Sequence, residues 1–483
     1  MKQTALANSI SITSIRVGYL KFLLLLIIGL MGPLGFAPFH MPGFMILSLA
    51  LLFTNLKNCT RKHGFYLGFF YGLGYFGFGV SWVIVSIHDY GQLNYLCSAL
   101  VTLIFVMYLS LFPALVAYFF KTLEFKQHRL GSVILFSVLW CLSEYLRATL
   151  FSGFPWLLAG TTLIDTPIRY LTPLLGIYGL SLFCVFISAF LTLVVQDRSS
   201  KRYMYIIIFV LMIITPNFFK NINWTQMQQD PITIGAVQAN LSMRDKWDET
   251  LFWNLLKLYE NAINKLLGKQ LIILPESAIP LPASYLDKYL HQLNEKALKA
   301  NSGLMLGILQ PTNDSEVNYY NSIITLGDAK GKKLKRQLVP FGEYNPLKNT
   351  PLAWILGDAA EQITQYTPGI AIQLPYQFKD QKIAFNICYE NTINDFVAFG
   401  AKDATIMLNQ SDLSWYGQTT MKNDFFQFSQ ARALENQKYF LQDGNTGDTA
   451  FINRDGQVES SIEAYTAGAA IGMVQGYQGA TPF

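Results

Sequence analysis

The chain has 483 residues, 52% of them hydrophobic and 14% charged, against about 25% charged in average soluble domains. That composition excludes an ordinary soluble protein, and it excludes disorder, which requires low hydrophobicity. The net charge of +5 divides unevenly: residues 1–219 carry 14 Lys/Arg and 5 Asp/Glu (+9), residues 220–483 carry 22 and 26 (−4). The first part therefore reads as membrane-embedded and the second as soluble. With the excess cations beside apolar segments, they set membrane orientation rather than bind phosphate backbones, so nucleic acid is not an expected partner.

In chain order, apolar segments fall near 17–36, 43–56, 64–87, 93–120, 131–152, 168–196 and 204–219, most of them near the ~20 residues a spanning helix requires. This predicts a polytopic α-helical membrane domain of about seven spans, the second and seventh short enough to be tilted or re-entrant. The first has no small-residue cleavage site and reads as an anchor rather than a signal peptide. Lys57, Arg61 and Lys62 follow the second segment, Lys121, Lys126 and Arg129 the fourth, and Arg198, Lys201 and Arg202 the sixth, whereas the alternate loops 38–43 and 87–94 hold no Lys or Arg. The positive-inside rule then expects a cytoplasmic N-terminus and a soluble part on the far side of the membrane.

Two polar features interrupt the apolar part. Glu144 and Arg147, three apart on one helix face, read either as a self-neutralising pair or as a substrate contact. Ser152-Gly153-Phe154-Pro155-Trp156 sits at an outward-facing helix end, where Trp156 is either an interfacial anchor or part of a lipid entry route.

From Asp230 onward the pattern changes to short β-rich runs, 232–238, 271–274, 304–309, 322–326, 383–387 and 405–408, with helical periodicity near 248–267, 283–300 and 421–436. Such alternation predicts an α/β sandwich with helices covering the sheets. The expected domain organisation is a membrane domain over 1–222 and a soluble domain over 223–483. Of five cysteines only Cys388 lies in the soluble part, which also holds one histidine, His291. A disulfide framework and a multi-His zinc site are therefore excluded there, and neither metal nor cofactor is expected.

Polar residues immediately after apolar strands are where α/β domains place chemistry. Glu276 follows one such strand and Cys388 another, while Lys335 lies where a basic stretch enters an apolar strand and turn. A thiol is a strong nucleophile only as thiolate, so Cys388 needs a base and a cation. Glu276 can take the proton, and Lys335 can hold the thiolate and then the oxyanion formed on attack at a carbonyl. Each residue alone has an ordinary structural explanation: an inert buried thiol, a helix-capping carboxylate, a member of a basic run. Only their joint arrangement is specific.

Glu276 in Pro275-Glu276-Ser277-Ala278-Ile279-Pro280, Lys335 with 338–343, and Cys388-Tyr389-Glu390 resemble the Glu-Lys-Cys motifs of the nitrilase (carbon–nitrogen hydrolase) superfamily. Gly35-Phe36-Ala37-Pro38-Phe39, the Gly/Phe-rich stretch to Ser81-Trp82-Val83, and 152–156 resemble its membrane-bound branch, the apolipoprotein N-acyltransferases. The resemblance covers nearly the whole chain. It implies a nitrilase-like α-β-β-α sandwich and a two-step transfer at the outer face of the bacterial inner membrane. Cys388 would take an acyl chain from a phospholipid, typically phosphatidylethanolamine, as a thioester. The α-amine of a diacylglyceryl-modified N-terminal cysteine on an apolipoprotein would then receive it. It further implies Glu276 as general base, Lys335 as electrostatic stabiliser, Glu343 as a second essential carboxylate orienting Lys335 or substrate, and Trp247 as an essential loop residue. Tyr389 and Glu390 flank the nucleophile, and Trp415 lies in the run after it. Ordinary packing explains Trp247 and Trp415 equally well, and a salt bridge to the basic strand explains Glu343.

The family's Asn-Asp-Ala-Trp-Phe run stands here as Asp412-Leu413-Ser414-Trp415-Tyr416, without an acidic residue at 413, and Gln337 and Phe425 stand where His is common. An eighth membrane helix usual in the family is not expected after the weakly apolar stretch ending at Phe483. Mobile lids are expected at 345–365 and 411–423 from their Pro/Gly and polar content. The nearest rival reading is a membrane-tethered carbon–nitrogen hydrolase with water as acceptor; the non-enzymatic rival is a transporter or receptor with an exported binding domain.

Overall fold

The computed structural model describes residues 20–91, 93–124, 128–228, 230–312, 315–348, 350–351 and 366–483. They form two compact units: Asp89–Gly91 groups with Ile222–Phe483, and the remainder forms the first unit, up to Asn221.

The first unit is helical. After α1 (Leu20–Gly35) come α2 (Pro42–Asn55), α3 (Arg61–Gly79), α4 (Val83–Asp89), α5 (Tyr95–Leu123), α6 (Arg129–Thr149), α7 (Thr172–Gln196) and α8 (Lys201–Ile214). Among the described residues, four helical stretches are long and apolar enough to cross a membrane, or five if α3 and α4, bent by 60°, count as one. The first two of the seven expected segments form the shorter helices α1 and α2, of 10–17 apolar residues. With no water to hydrate a separated backbone in an apolar medium, helices associate through small residues. A Cβ on Gly29 would lie 2.1 Å from the Tyr71 carbonyl oxygen, and one on Gly74 2.0 Å from that of Leu26. Only hydrogen fits at either crossing of α1 and α3.

Glu144 and Arg147 are both buried, and their hydrogen bonds serve the irregular segment after α6. Glu144 Oε1 accepts from Trp140 Nε1 and the Ala159 amide, each at 2.9 Å. Arg147 donates to the carbonyls of Phe154 (2.7 Å), Trp156 and Leu157 (3.3 Å). Non-helical backbone away from water needs such donors and acceptors. Trp156 is buried within this segment, its ring against Phe154 at 4.8 Å and Trp82 at 5.6 Å.

The second unit contains two large sheets. After the short β1 (Gln226–Met227), their strands are β2 (Ile232–Gln238), β3 (Leu271–Ile273), β4 (Ile279–Pro282), β5 (Gly303–Thr312), β6 (Ser315–Gly327), β7 (Lys332–Leu334), β8 (Tyr376–Phe378), β9 (Gln381–Ile387), β10 (Ile406–Ser411), β11 (Tyr439–Gly444), β12 (Thr449–Ile452), β13 (Val458–Ile462) and β14 (Gly468–Val474). The first sheet runs β14-β2-β3-β5-β6-β7, with β4 on β5; the second runs β13-β12-β11-β10-β9-β8. β2, β3 and β5 are parallel, as are β9, β10 and β11. Parallel strands covered on both faces must be apolar throughout, and Leu271, Ile272 and Ile273 are all fully buried.

Ile234, Ile273, Met305, Phe385, Ile387, Leu408, Leu441 and Phe451 form one cluster drawn from both sheets. Helices α10 (Phe252–Leu266) and α11 (Asp287–Lys299) cover the outer face of the first sheet through Leu255, Tyr259, Ile263 and Leu293. On the second sheet, α12 (Asn394–Ala401) and α13 (Met421–Asn436) supply Val397 and Ala433 to a cluster with Met407 and Phe440. The layers are therefore α-β-β-α. The short helix α9 (Met243–Lys246) precedes α10.

Replacing Gly74 by Val should cost about 1–3 kcal/mol through overpacking, read as a lower thermal midpoint in detergent. An unchanged midpoint would show that α1 can move off α3 freely.

Candidate active site

The carboxyl ends of β3 and β9 deliver Glu276 and Cys388, and Lys335 follows the last residue of β7. Local backbone geometry aims these side chains. Cys388 has φ of +51° and Ser277 of +46°, left-handed conformations that L-residues adopt only where surrounding packing over-determines them. The Glu276 turn lies directly on β5: a Cβ on Gly307 would stand 2.3 Å from the Ser277 nitrogen and 2.5 Å from the Pro275 oxygen.

Lys335 is 1% exposed and its ammonium is shared by two carboxylates, Glu276 Oε1 at 2.9 Å and Glu343 Oε1 at 2.8 Å. Asn321 joins the same two oxygens, its Nδ2 donating to Glu276 at 2.8 Å and Glu343 at 3.0 Å. The remaining oxygens are taken by backbone amides: Glu276 Oε2 accepts from Asp412 and Glu343 Oε2 from Val339. Burial by itself would push the Lys335 ammonium down. Glu276, Glu343 and the neighbouring Cys388 outweigh it, so Lys335 is held well above the ordinary lysine value and stays charged.

Cys388 is partly exposed, and its thiol hydrogen-bonds to Glu276. Burial, then the negative field of Glu276, pushes this thiol well above its ordinary value, against the pull of Lys335. It therefore rests as a thiol in the free site, with its proton already directed at a carboxylate. The arrangement suits proton transfer concerted with nucleophilic attack better than a standing thiolate. Lys335 sits where it can neutralise charge developing beside the sulfur.

Glu390 is fully buried and holds two strand ends together. Its Oε1 accepts from the amides of Arg336 (2.6 Å) and Gln337 (3.2 Å), and its Oε2 from Ile387 at 2.8 Å. The residues flanking Lys335 and Cys388 are thereby fixed to one carboxylate. Tyr389 is buried beside the nucleophile. Trp247 is 43% exposed at the end of α9, and Trp415 meets the Tyr90 ring edge-on at 4.9 Å. Trp156 belongs to the first unit. Phe425 is buried against Phe428, a core position. Of the two expected lid segments, 352–365 lies outside the described residues, whereas 411–423 contains the buried Asp412 and the short helical turn Ser414–Tyr416.

Asn321, Lys246 and Asp412 were not singled out as site residues in the sequence. Asn321 lies inside β6, directly before the apolar run 322–326, and that position is the only signal the sequence offers for it. Lys246 looks like an ordinary exposed helix-end cation, yet it is 1% exposed and pairs with Asp412 at 2.6 Å. Among the described residues, no group of three or more His, Cys, Asp or Glu is placed to hold a metal ion.

Both parts of the chain are similar to known proteins. Residues 28–190 match the apolipoprotein N-acyltransferase N-terminal domain, and 233–481 match the carbon–nitrogen hydrolase family. An apolipoprotein N-acyltransferase of Nitrosomonas europaea is 31% identical over 96% of this chain and 93% of its own. Those of Methylococcus capsulatus and Coxiella burnetii are 32% and 33% identical, over 94% and 95% of this chain and 90% and 95% of theirs. With both parts of the chain matched and relatives aligned over nearly their full length, this protein belongs to the apolipoprotein N-acyltransferase family and is an acyltransferase with a carbon–nitrogen hydrolase domain.

Proposed function

We propose that the chain transfers an acyl chain from a phospholipid, phosphatidylethanolamine in the first instance, to the N-terminal amine of a diacylglyceryl-cysteine apolipoprotein. The observation that carries this reading is the buried Lys335 ammonium between Glu276 and Glu343, beside the Cys388 thiol, in a chain with apolar helices long enough to span a membrane.

In the first step the Cys388 sulfur attacks the ester carbonyl while its proton passes to Glu276. Lys335 stabilises the oxyanion. Collapse breaks the ester C–O bond, the leaving alkoxide takes the proton from Glu276, and lysophospholipid departs, leaving a thioester. In the second, the acceptor amine attacks the thioester and gives a proton to Glu276. The C–S bond breaks, the thiolate regains that proton, and an amide is released. Glu343 and Glu390 orient Lys335 and the nucleophile turn. Tyr389 shapes the pocket behind the sulfur, Trp247 and Trp415 form its rim, and Trp156 contributes to lipid entry.

The membrane part in this reading is residues 1–222, with α1 and α2 counted among seven crossings and the N-terminus in the cytoplasm. Residues 223–483 then act on the outer side of the bacterial inner membrane, a reading supported by the charge asymmetry of the loops.

Incubation with phosphatidylethanolamine should give an acyl-sized mass increase that is lost in Cys388→Ser and moves to the amine of an added diacylglyceryl-cysteine peptide. An adduct that drains to free fatty acid instead would make the protein a hydrolase; no adduct on folded protein would remove the acyl-donor assignment. Glu276→Gln should slow adduct formation by about 10²–10⁴-fold, the usual contribution of a positioned general base, measured by the same intact-mass time course. Gly307→Ala should displace the Glu276 turn and slow it by about 10²-fold, with the wild-type fold retained by circular dichroism.

A further inference from the structure

Beneath Glu276 lies a buried ion pair that the reaction scheme leaves unused. Lys246 Nζ donates to two acceptors on different elements, the Glu276 carbonyl at 2.9 Å and Asp412 Oδ2 at 2.6 Å. The Asp412 amide in turn donates to Glu276 Oε2 at 2.9 Å. Asp412 Oδ1 accepts from the Ser414 amide (3.1 Å) and hydroxyl (2.6 Å) and from Asn445 Nδ2 (3.0 Å). One ammonium thus links the end of α9, the turn carrying Glu276 and the turn Asp412–Tyr416 at the end of β10. Lys246 and Asp412 are 1% and 4% exposed. A buried pair is rarely retained for stability alone, because desolvation consumes most of its attraction.

The residue after Asp412, Leu413, is buried with 3% exposure, so the turn enters the core at both positions. Burial would raise the Asp412 carboxyl, but Lys246, Ser414 and Asn445 together hold it below the ordinary aspartate range, so it stays ionised.

We propose that Lys246 and Asp412 form a positioning latch that keeps the Asp412 amide on Glu276 Oε2 and so fixes the orientation of the general base. The inference rests on the assignment of Glu276 as base. Within the latch, Oε1 is turned to Lys335 and Asn321, and Oε2 is held by the same turn that carries Trp415. Movement of the Asp412–Tyr416 turn therefore removes a donor from the base. The ionisable groups facing Glu276 are Lys335 and Glu343 from the segment after β7, Cys388 from β9, Asp412 from β10, Lys246 from α9, and Tyr366, which lies in the same field. Of these, only Lys246 and Asp412 can be neutralised together without changing the net charge or touching the reacting atoms.

The test is the pH dependence of the p-nitrophenol burst from p-nitrophenyl butyrate, with full-length protein in detergent and Cys388→Ser as blank. This probe needs the thiol and its base but no phospholipid. Lys246→Met/Asp412→Asn removes both charges and keeps the net charge unchanged. With the amide no longer held on Oε2, the carboxylate loses a donor to its charged form, and the acid limb should move up by about 0.5–1 pH unit relative to wild type. Asp412→Asn alone keeps the amide and leaves the Lys246 charge uncompensated, so its limb should stay or move to lower pH. A purely structural pair would reduce the burst amplitude in both variants and move neither limb.

An unmoved limb in the folded double variant would overturn the latch. If that variant does not fold, Asn445→Ala decides, because it frees one of the contacts on Asp412 Oδ1 while leaving Lys246 and Glu276 intact. Its limb should move up by at least about 0.3 unit, and an unmoved limb there would equally overturn the proposal. A Cys388-dependent burst with an unmoved limb removes the latch alone. No burst from folded wild-type protein removes the Glu-Lys-Cys chemistry, and the latch with it.

Discussion

A buried ammonium is the constraint around which the soluble unit is organised. Taking Lys335 out of water costs several kcal/mol unless its hydrogen bonds and charge are met, and two carboxylates from separate elements meet them. Those carboxylates are buried in turn, so each of their oxygens requires its own donor. Asn321 and the amides of Val339 and Asp412 supply them. The site is thus a chain of obligations that begins at one nitrogen and fixes side chains from β3, β6, β7 and β10. Cys388 enters this network as a thiol whose proton already points at Glu276.

Strand ends supply most of the side chains in this network. Parallel strands place the next residue of each at a common edge, and β9 and β10 are in register, Asn386 opposite Asn409 and Ile387 opposite Gln410. Glu390 then fastens the end of β9 to the segment after β7 by three backbone amides. The Asp412–Tyr416 turn combines both environments, since its first residue is locked into the core while Trp415 near its far end is only partly buried.

In the helical unit the sequence announced two charges and left their purpose open. The structure gives both to the irregular segment after α6, where Arg147 collects carbonyls and Glu144 accepts an amide and an indole. An i,i+3 spacing permits a pair but does not compel one, because backbone groups lacking helical partners compete for the same side chains.

Composition alone was sufficient to separate an apolar part from a soluble one, because charge density and hydropathy are local properties. The strands 232–238 and 383–387 were legible for the same reason, as was the placement of Glu276 and Cys388 after apolar runs. β10 was read as 405–408 and in fact continues to Ser411, because Asn409 and Ser411 find hydrogen-bond partners on Gln442 of the next strand. Strands β11 to β14 escaped notice, β11 ending in the polar Gln442 and Asp443 and β13 being largely exposed. Lys335 could be picked out by its position where a basic stretch enters an apolar strand, and Lys246 not at all. Lys335 meets Glu276 59 positions away and Lys246 meets Asp412 166 positions away, and that proximity exists only once the sheets have packed.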